Sequence, residues 1–521
     1  APENVHAIES FAQQHGYPIL IKAASGGGGR GMRRVTKAAE IADALLGAAH
    51  EAQAFFADGR VFVEKLIEHA RHIEVQIMGD SAGTVAVLGD RDCSLQRNHQ
   101  KVIEEAPAAD LPAELRTAIH DAARRLGEIS KYENAGTVEF LLDKAHNFYF
   151  LEVNSRLQVE HPVTEAVTGL DLVEIQLRVA AGEKLTAILP HGVPPPCGAA
   201  IECRICAESP EDNFVASTGH LDLFIPPAGA AIRFDTGFVS GDTVSHYYDS
   251  LLGKLIVSGA NRSEAIRGSI DALHHLRAYG VKTNVGFLLG LLSDGNVQAM
   301  AHDTHYATTL LPGPETKRRE AQRSAAVAIL ERLRESAEAP LDPWRANSSF
   351  RLAGEARVEA VFKAAGETIP AAVTRGEDRG YNVTVGDKTF SIGDLEFAPL
   401  GFSFTLDGVR ECAEVFTGRT GLWVKTARGT TLVEEVRTSL KKRDTDTLAQ
   451  AREIRSPLPG KVVRIKAAVG DKLDAGDTVL VIESMKMEHI LKAPTAGKVK
   501  AIKALQGDVV EANTVLAELD F

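Results

Sequence analysis

Three stretches of this sequence hold side chains whose types and spacing belong to phosphate, metal and group-transfer chemistry. The first is ILIKAASGGGGRGMRRV, residues 19–35, a glycine run between two β-rich segments. Glycine permits close backbone approach and positive φ, so the N–H groups of Gly26, Gly27, Gly28 and Gly29 can converge on phosphate oxygens, with Lys22 adding a cation. The spacing is neither GxGxxG nor GxxxxGK[ST], which sets aside the Rossmann and P-loop readings. The second stretch is TVEFLLD followed by FYFLEVNSR, two strands joined by a short turn. Glu139 lies on the first; Glu152 and Asn154 lie two apart on the second and share a face. Charges inside apolar strands are costly unless paired or metal-bound, and carboxylate and amide oxygens suit Mg²⁺ shared with substrate phosphates. Salt-bridged structural residues are the alternative.

The third stretch is an internal repeat near the C-terminus. SPLPGKVVRIKAAVGDKLDAGDTVLVIE matches APTAGKVKAIKALQGDVVEANTVLAEL, aligning Pro457 with Pro494, Gly460 with Gly497, Ile465 with Ile502, Gly470 with Gly507 and Asp471 with Asp508. Two β-rich repeats imply a pseudo-twofold flattened barrel. ESMKMEH joins them, which puts Lys486 at a hairpin tip between two of the chain's 5 methionines. A carrier lysine needs such a protruding place on a rigid support. An ordinary surface lysine on a turn would not account for the repeat and its central position.

The elements that must position these groups follow from the patterning. YPILIKA, RVFVEKLI and HIEVQIMGD read as strands and 111–130 as a helix, giving an α+β region over 1–190. The α+β text continues over 191–305, with helices near 262–276 and 284–293. A charged helix at 315–337 and a β-rich stretch at 346–437 make up 306–437; a polar, basic linker occupies 438–453, and the repeat fills 454–521. The opening residues Val5, Ile8, Phe11 and Ala12 are already helical in pattern, so the start reads as a cut end.

The chain has 521 residues, 44% apolar and 25% charged, with a formal net charge of −12. That composition is globular, and the acidic balance argues against a general nucleic-acid surface. No apolar run approaches a membrane span. Five scattered cysteines give no disulfide framework and fit a reducing compartment, the cytoplasm or, in a eukaryote, the mitochondrial matrix. Cys203 and Cys206 form a lone CxxC within AAIECRICA, which reads as a strand; with no second pair it makes no zinc site.

Residues 454–521 closely resemble the biotinyl/lipoyl carrier family, and Glu483-Ser484-Met485-Lys486-Met487 matches its biotin-accepting members. Residues 1 to about 300 resemble the ATP-grasp enzymes, specifically biotin carboxylase, through RDCSLQRNHQKVIEEAP (91–107), EVNSRLQVEHPVTE (152–165) and ECRICAESP (202–210). The resemblance implies that Lys22, Glu64, Lys65, His72, Gln96 and His99 contact ATP or shape its pocket. It implies Mg²⁺ or Mn²⁺ on Glu139, Glu152 and Asn154, and bicarbonate on Lys101, Arg156, Gln158 and Val159. Glu160 would be the base and Arg204 would steady the biotin enolate. Bicarbonate attacking a γ-phosphate needs cationic anchoring and a base, so the residue types agree.

The middle region resembles the subunit-binding part of acyl-CoA carboxylase alpha (biotin-containing) subunits, a helix with an antiparallel β-barrel. DPWRANSSFRL is more like methylcrotonoyl-CoA or geranyl-CoA carboxylase than propionyl-CoA carboxylase. The resemblance implies a carboxyltransferase beta subunit and a biotin protein ligase as partners, within a hetero-oligomer. Biotin carboxylases usually carry a further nucleotide-contacting subdomain before the glycine loop, absent from this stretch. A carrier-only protein with an inert front half is therefore the competing expectation.

Overall fold

The computed structural model describes residues 5–25, 32–97, 99–338, 357–376, 380–398, 400–406, 408–436, 453–484 and 487–520. The glycine run Gly26 to Gly29, most of the polar linker, and Lys486 lie outside the described residues. The chain forms two compact units, one of residues 1–203, 256–269 and 293–310, the other of 204–255, 270–292 and 311–521.

In the first unit, the alternating residues around the glycine run build a small antiparallel sheet. Its strands β1 (Ile19–Ala23), β2 (Met32–Val35) and β3 (Val61–Lys65) run in the order β2-β1-β3. Helices α1 (Val5–His15) and α2 (Ile41–Phe56) cover it, burying Ile8, Ile19, Ile21, Val35, Ile41 and Leu45 together. Residues Val5–His15 are helical, as the periodicity of Val5, Ile8, Phe11 and Ala12 predicts.

A larger antiparallel sheet holds β4 (Arg71–Gly79), β5 (Val85–Arg97), β6 (Gln100–Ala106), β7 (Asn134–Leu142), β8 (Phe148–Asn154) and β9 (Ala199–Cys206). These run in the order β9-β6-β5-β4-β7-β8. Strand period two decides the rest. On β4, Ile73, Val75 and Ile77 pack with Ile119 and Ala123 of helix α3 (Ala113–Ser130). The intervening His72, Glu74 and Gln76 are also buried, but face the other way. One face of the sheet is thus an apolar core worth roughly 1.5–3 kcal/mol per buried side chain, and the opposite face is a buried polar floor. The CxxC lies within β9, with Cys203 and Cys206 both buried and unpaired by disulfide.

In the second unit, eight antiparallel strands between Arg357 and Glu435 form a closed barrel; its first strand (Arg357–Ala364) pairs with its last (Gly429–Glu435) through Phe362 and Glu435. The helix predicted at 315–337 runs over Pro314–Glu338. Although the sequence is rich in charge, Ser324 through Glu331 are buried without a break, so no face of that stretch meets water. Ala321, Ala325, Ala328 and Leu330 share one core with the barrel's Phe362, Ile369, Val383 and Phe404. The helix fills the barrel, and small alanines let it fit. Buried Glu331 is neutralised by Arg334.

The repeat folds as two four-stranded sheets. One holds Glu453–Arg455, Val515–Asp520, Gly497–Ile502 and Lys472–Leu473 in that order; the other holds Met487–Lys492, Thr478–Ser484, Gly460–Ile465 and Val509–Val510. Exchanging the two halves of the repeat carries one order onto the other. The turns repeat too. Gly470 and Gly507 both sit at φ 99°, and the carboxylates of Asp471 and Asp508 each accept from a backbone N–H three residues earlier at 2.8 Å. Positive φ explains why both turns use glycine.

Gly79 ends β4 where a Cβ would lie 1.8 Å from the carbonyl oxygen of Tyr132. Gly79→Ala must therefore push backbone apart at the edge of the polar floor. A loss of about 1–3 kcal/mol is expected, seen as a lower thermal midpoint for the full chain; an unchanged midpoint would contradict this packing.

Candidate functional site

The polar floor is organised by strand register. Glu152 on β8 is opposite Glu139 on β7, Glu139 is opposite Glu74 on β4, and Glu74 is opposite Arg91 on β5. Three carboxylates in one cross-strand row repel each other unless cations intervene. The main cation is Lys101, on β6. Its Nζ donates to Glu74 Oε2 at 2.5 Å, Glu160 Oε1 at 2.5 Å and Glu139 Oε1 at 2.9 Å, with Gln158 Oε1 at 3.4 Å. Burial opposes the charge on Lys101, but Glu74, Glu160 and Glu139 outweigh it and hold the pKa well above the ordinary lysine value.

Glu139 is held from a second side. Gln96 Nε2 donates to Cys93 O at 2.7 Å and contacts His72 Nδ1 at 2.8 Å. An amide N–H donating to Nδ1 leaves the imidazole proton on Nε2, which lies 3.0 Å from Glu139 Oε2. His72 and Gln96 are therefore buried positioning groups for Glu139. Burial pushes the Glu139 carboxyl up, but His72 and Lys101 hold it well below the usual range.

Glu152 is exposed and Asn154 half-buried; Asn154 is opposite Thr137, so both share the face of Glu139. Oxygen donors from adjacent strands on one face, one buried and charged and the others open, fit a hard divalent cation that also holds phosphate. Gln158 is buried and donates to Glu139 Oε1 at 3.1 Å. Val159 is half-buried beside it, and Glu160 caps the N-terminus of helix α4 (His161–Thr168). Arg156 stands apart: it is exposed, and its Nη1 donates to Leu157 O at 3.2 Å.

The small sheet presents the nucleotide-side candidates. Lys22 Nζ is 3.1 Å from Glu64 Oε2 and lies over the Phe62 ring, while Lys65 Nζ donates to Gly16 O at 3.2 Å. His99 sits at φ 65°. Desolvation, then the positive charges of His305 and Lys22, lower its pKa. Arg204 belongs to the second unit, where Asn284 Nδ2 donates to its backbone carbonyl at 2.9 Å.

Sequence reasoning missed Glu74 and Arg91. Glu74 was within reach, since it is a charge inside the apolar run HIEVQIM, the same signal that exposes Glu139. Arg91 has no such mark; only the fold brings it to the floor.

Known proteins are similar to this chain in sequence and fold. The model for "Carbamoyl-phosphate synthase L chain, ATP binding domain" matches residues 1–188, and that for "Biotin carboxylase C-terminal domain" matches 202–309. "Methylcrotonyl-CoA carboxylase, alpha-subunit, BT domain" matches 319–438 and "Biotin-requiring enzyme" 452–519. A biotin carboxylase from Campylobacter jejuni in complex with a β,γ-ATP ligand is similar, with TM-score 0.57 and 42% identity over 58% of this chain and 68% of that one. So is the biotin carboxylase domain of Hydrogenobacter thermophilus 2-oxoglutarate carboxylase with MgADP, ADP and bicarbonate, with TM-score 0.57 and 38% identity over 59% and 68%.

Fold and site together define an ATP-grasp biotin carboxylase, an ATP-dependent ligase that works with covalent biotin. Mitochondrial methylcrotonoyl-CoA carboxylase alpha subunits are 36% identical: the rat protein over 93% of this chain and 70% of its own length, the Arabidopsis thaliana protein over 94% and 72%. The chain belongs to this family of biotin-containing carboxylase alpha subunits.

Glu74 generates a pH prediction. Burial raises its pKa, but Arg91 and Lys101 bring it down to about 2, below the ordinary 4.5. A lowered folded-state pKa contributes stability that is present above the unfolded value and lost as pH falls through the folded one. Stability of the first unit should therefore decline between pH 4.5 and about 2. Glu74→Gln should be less stable at neutral pH and show a shallower decline, measured by denaturant titration across that window. An equal slope would remove Glu74 from the acid response.

Proposed function

We propose that this chain carboxylates biotin carried on its own Lys486 and delivers it to a carboxyltransferase beta subunit that acts on 3-methylcrotonoyl-CoA. The observation that carries the first half is Lys101 held among Glu139, Gln158 and Glu160. A bicarbonate ion needs a fixed cation and a neighbouring base, and these are the groups the polar floor presents. Arg156, exposed and, among the described residues, bonded only to Leu157 O, would have to swing in to supply a second cation.

In this reading Lys22, Glu64, Lys65 and His99 line the nucleotide side, joined by the N–H groups of Gly26 to Gly29, while His72 and Gln96 fix Glu139. Glu139, Glu152 and Asn154 would hold Mg²⁺ or Mn²⁺, which when bound offsets the charge of the nucleotide phosphates. Gln158 and the Val159 backbone complete the bicarbonate cradle. Glu160 takes the bicarbonate proton as its oxygen attacks the γ-phosphorus, giving carboxyphosphate and ADP. Carboxyphosphate then releases CO₂ and phosphate, and that phosphate accepts the ureido proton. Arg204 offers a planar cation to the ureido oxygen as negative charge develops there.

The acyl-CoA half rests on the relatives' names and on the matched BT domain. The helix-filled barrel is the proposed seat of the carboxyltransferase, and a biotin protein ligase would modify Lys486. In a eukaryotic source the mitochondrial matrix is the proposed location. Among the described residues no helix is long and apolar enough to cross a membrane.

Three outcomes test this. Co-expression with a biotin ligase should add one biotin, and Lys486→Arg should abolish the mass shift; streptavidin capture surviving that change would refute the attachment site. Glu160→Gln in the full-length subunit should cut bicarbonate-dependent ATP cleavage by about 10²–10⁴ and leave ATP affinity nearly unchanged. Weakened ATP binding with intact turnover would overturn the base assignment. Release of product from 3-methylcrotonoyl-CoA, against propionyl-, acetyl- and geranyl-CoA, identifies the acyl group.

A further inference from the structure

Beneath the cation that the site presents lies a second, wholly enclosed one. Arg91 has no exposed surface, and neither have Glu74, Gln76 and Thr137 around it. Its Nε donates to Glu74 Oε1 at 2.5 Å, Nη1 to Gln76 Oε1 and Thr164 Oγ1, both at 2.9 Å, and Nη2 to Thr137 Oγ1 at 3.3 Å. A buried guanidinium is tolerated only when its donors are satisfied, and its fork geometry fixes several acceptors at once. These acceptors belong to three different elements: β4, β7 and α4.

Two of those bonds lead directly to the reacting groups. Glu74 turns its other oxygen to Lys101 Nζ at 2.5 Å, so Arg91 orients the carboxylate that orients Lys101. Thr164 lies one helical turn into α4, the helix whose N-cap is Glu160, so Arg91 also anchors the segment that presents the base. Resting on the roles given above to Lys101 and Glu160, we propose that Arg91 is a positioning residue for bicarbonate activation, a bracket that sets the distance between the anchoring lysine and the base. It touches neither bicarbonate nor nucleotide. Arg91 also lies in the cross-strand row next to Glu74 and supplies the positive charge that lets three carboxylates share one floor.

A bracket and a merely structural arginine differ in which step suffers. Misplacing reacting groups by about 1 Å can cost around 10² in rate. In the full-length, biotinylated subunit, Arg91→Lys keeps the charge but cannot reach Glu74 and Thr164 together. Thr164→Val keeps the shape and removes one bond. Both should lower turnover in bicarbonate-dependent ATP cleavage and raise the KM for bicarbonate at least about tenfold, with the KM for ATP within about threefold. The double variant should lose less than the product of the two losses, because both cut the same link. Restored turnover in Arg91→Lys relative to Arg91→Met marks the charge contribution. Should Arg91→Met fail to fold, the Thr164→Val and Arg91→Lys pair still decides. Parallel changes in both KM values, wild-type kinetics in both variants, or fully multiplicative losses would overturn the proposal. If the unmutated subunit itself shows no bicarbonate-dependent ATP cleavage, the functional reading fails instead.

Discussion

One lysine among three carboxylates governs the first unit. Lys101 is sheltered, and it is surrounded by more negative charge than it can neutralise alone. Such a cluster is stable only while every member keeps its partner, because a charge orphaned in a low-dielectric interior costs far more than the pair gains. This explains why the floor is crowded with auxiliary groups. Gln96, Gln158 and Arg91 each satisfy an atom that would otherwise be stranded, and His72 Nε2 stands 3.0 Å from Glu139 Oε2. The network leaves few independent adjustments: a change in one carboxylate is felt by all.

The sheet makes this arrangement inexpensive in design terms. Antiparallel pairing with period two gives one strand two unrelated tasks, Ile73, Val75 and Ile77 closing an apolar core and His72, Glu74 and Gln76 building the polar floor. Helix α3 then needs only an ordinary apolar stripe, since the polar floor faces away from it. A register slip of one residue would exchange the two faces, so the apolar core enforces the geometry of the site.

Legibility in the sequence followed the strength of local signals. The carrier repeat was readable because its halves are alike, down to matched glycines and aspartates in equivalent turns. Glu139, Glu152 and Asn154 were readable as polar groups in apolar strands, and residues from Lys101 to Glu160 through the resemblance their segments carry. Two kinds of feature escaped. Arg91 gains meaning only from long-range contacts. The helix at 315–337 was legible but its enclosure by a barrel was not, because REAQRSAAVAILERLRES is rich in charge and its apolar content lies in one short alanine-rich run. Charged residues at the ends of that run form ion pairs, such as Glu331 with Arg334, that hydropathy does not anticipate.

That helix gives the second unit a history as well as a shape. It precedes all eight strands of the barrel, and the ring closes when the first strand meets the last, about a hundred residues later in the chain. A growing polypeptide at ~5–20 residues per second makes the helix wait several seconds before its sheath is complete. During that interval the incomplete ring has two open strand edges, and the alanine-rich segment has nothing to cover it. Once closed, the ring has no edge on which a neighbouring chain can add a strand, so the vulnerable moment lies in biosynthesis and not in the finished molecule.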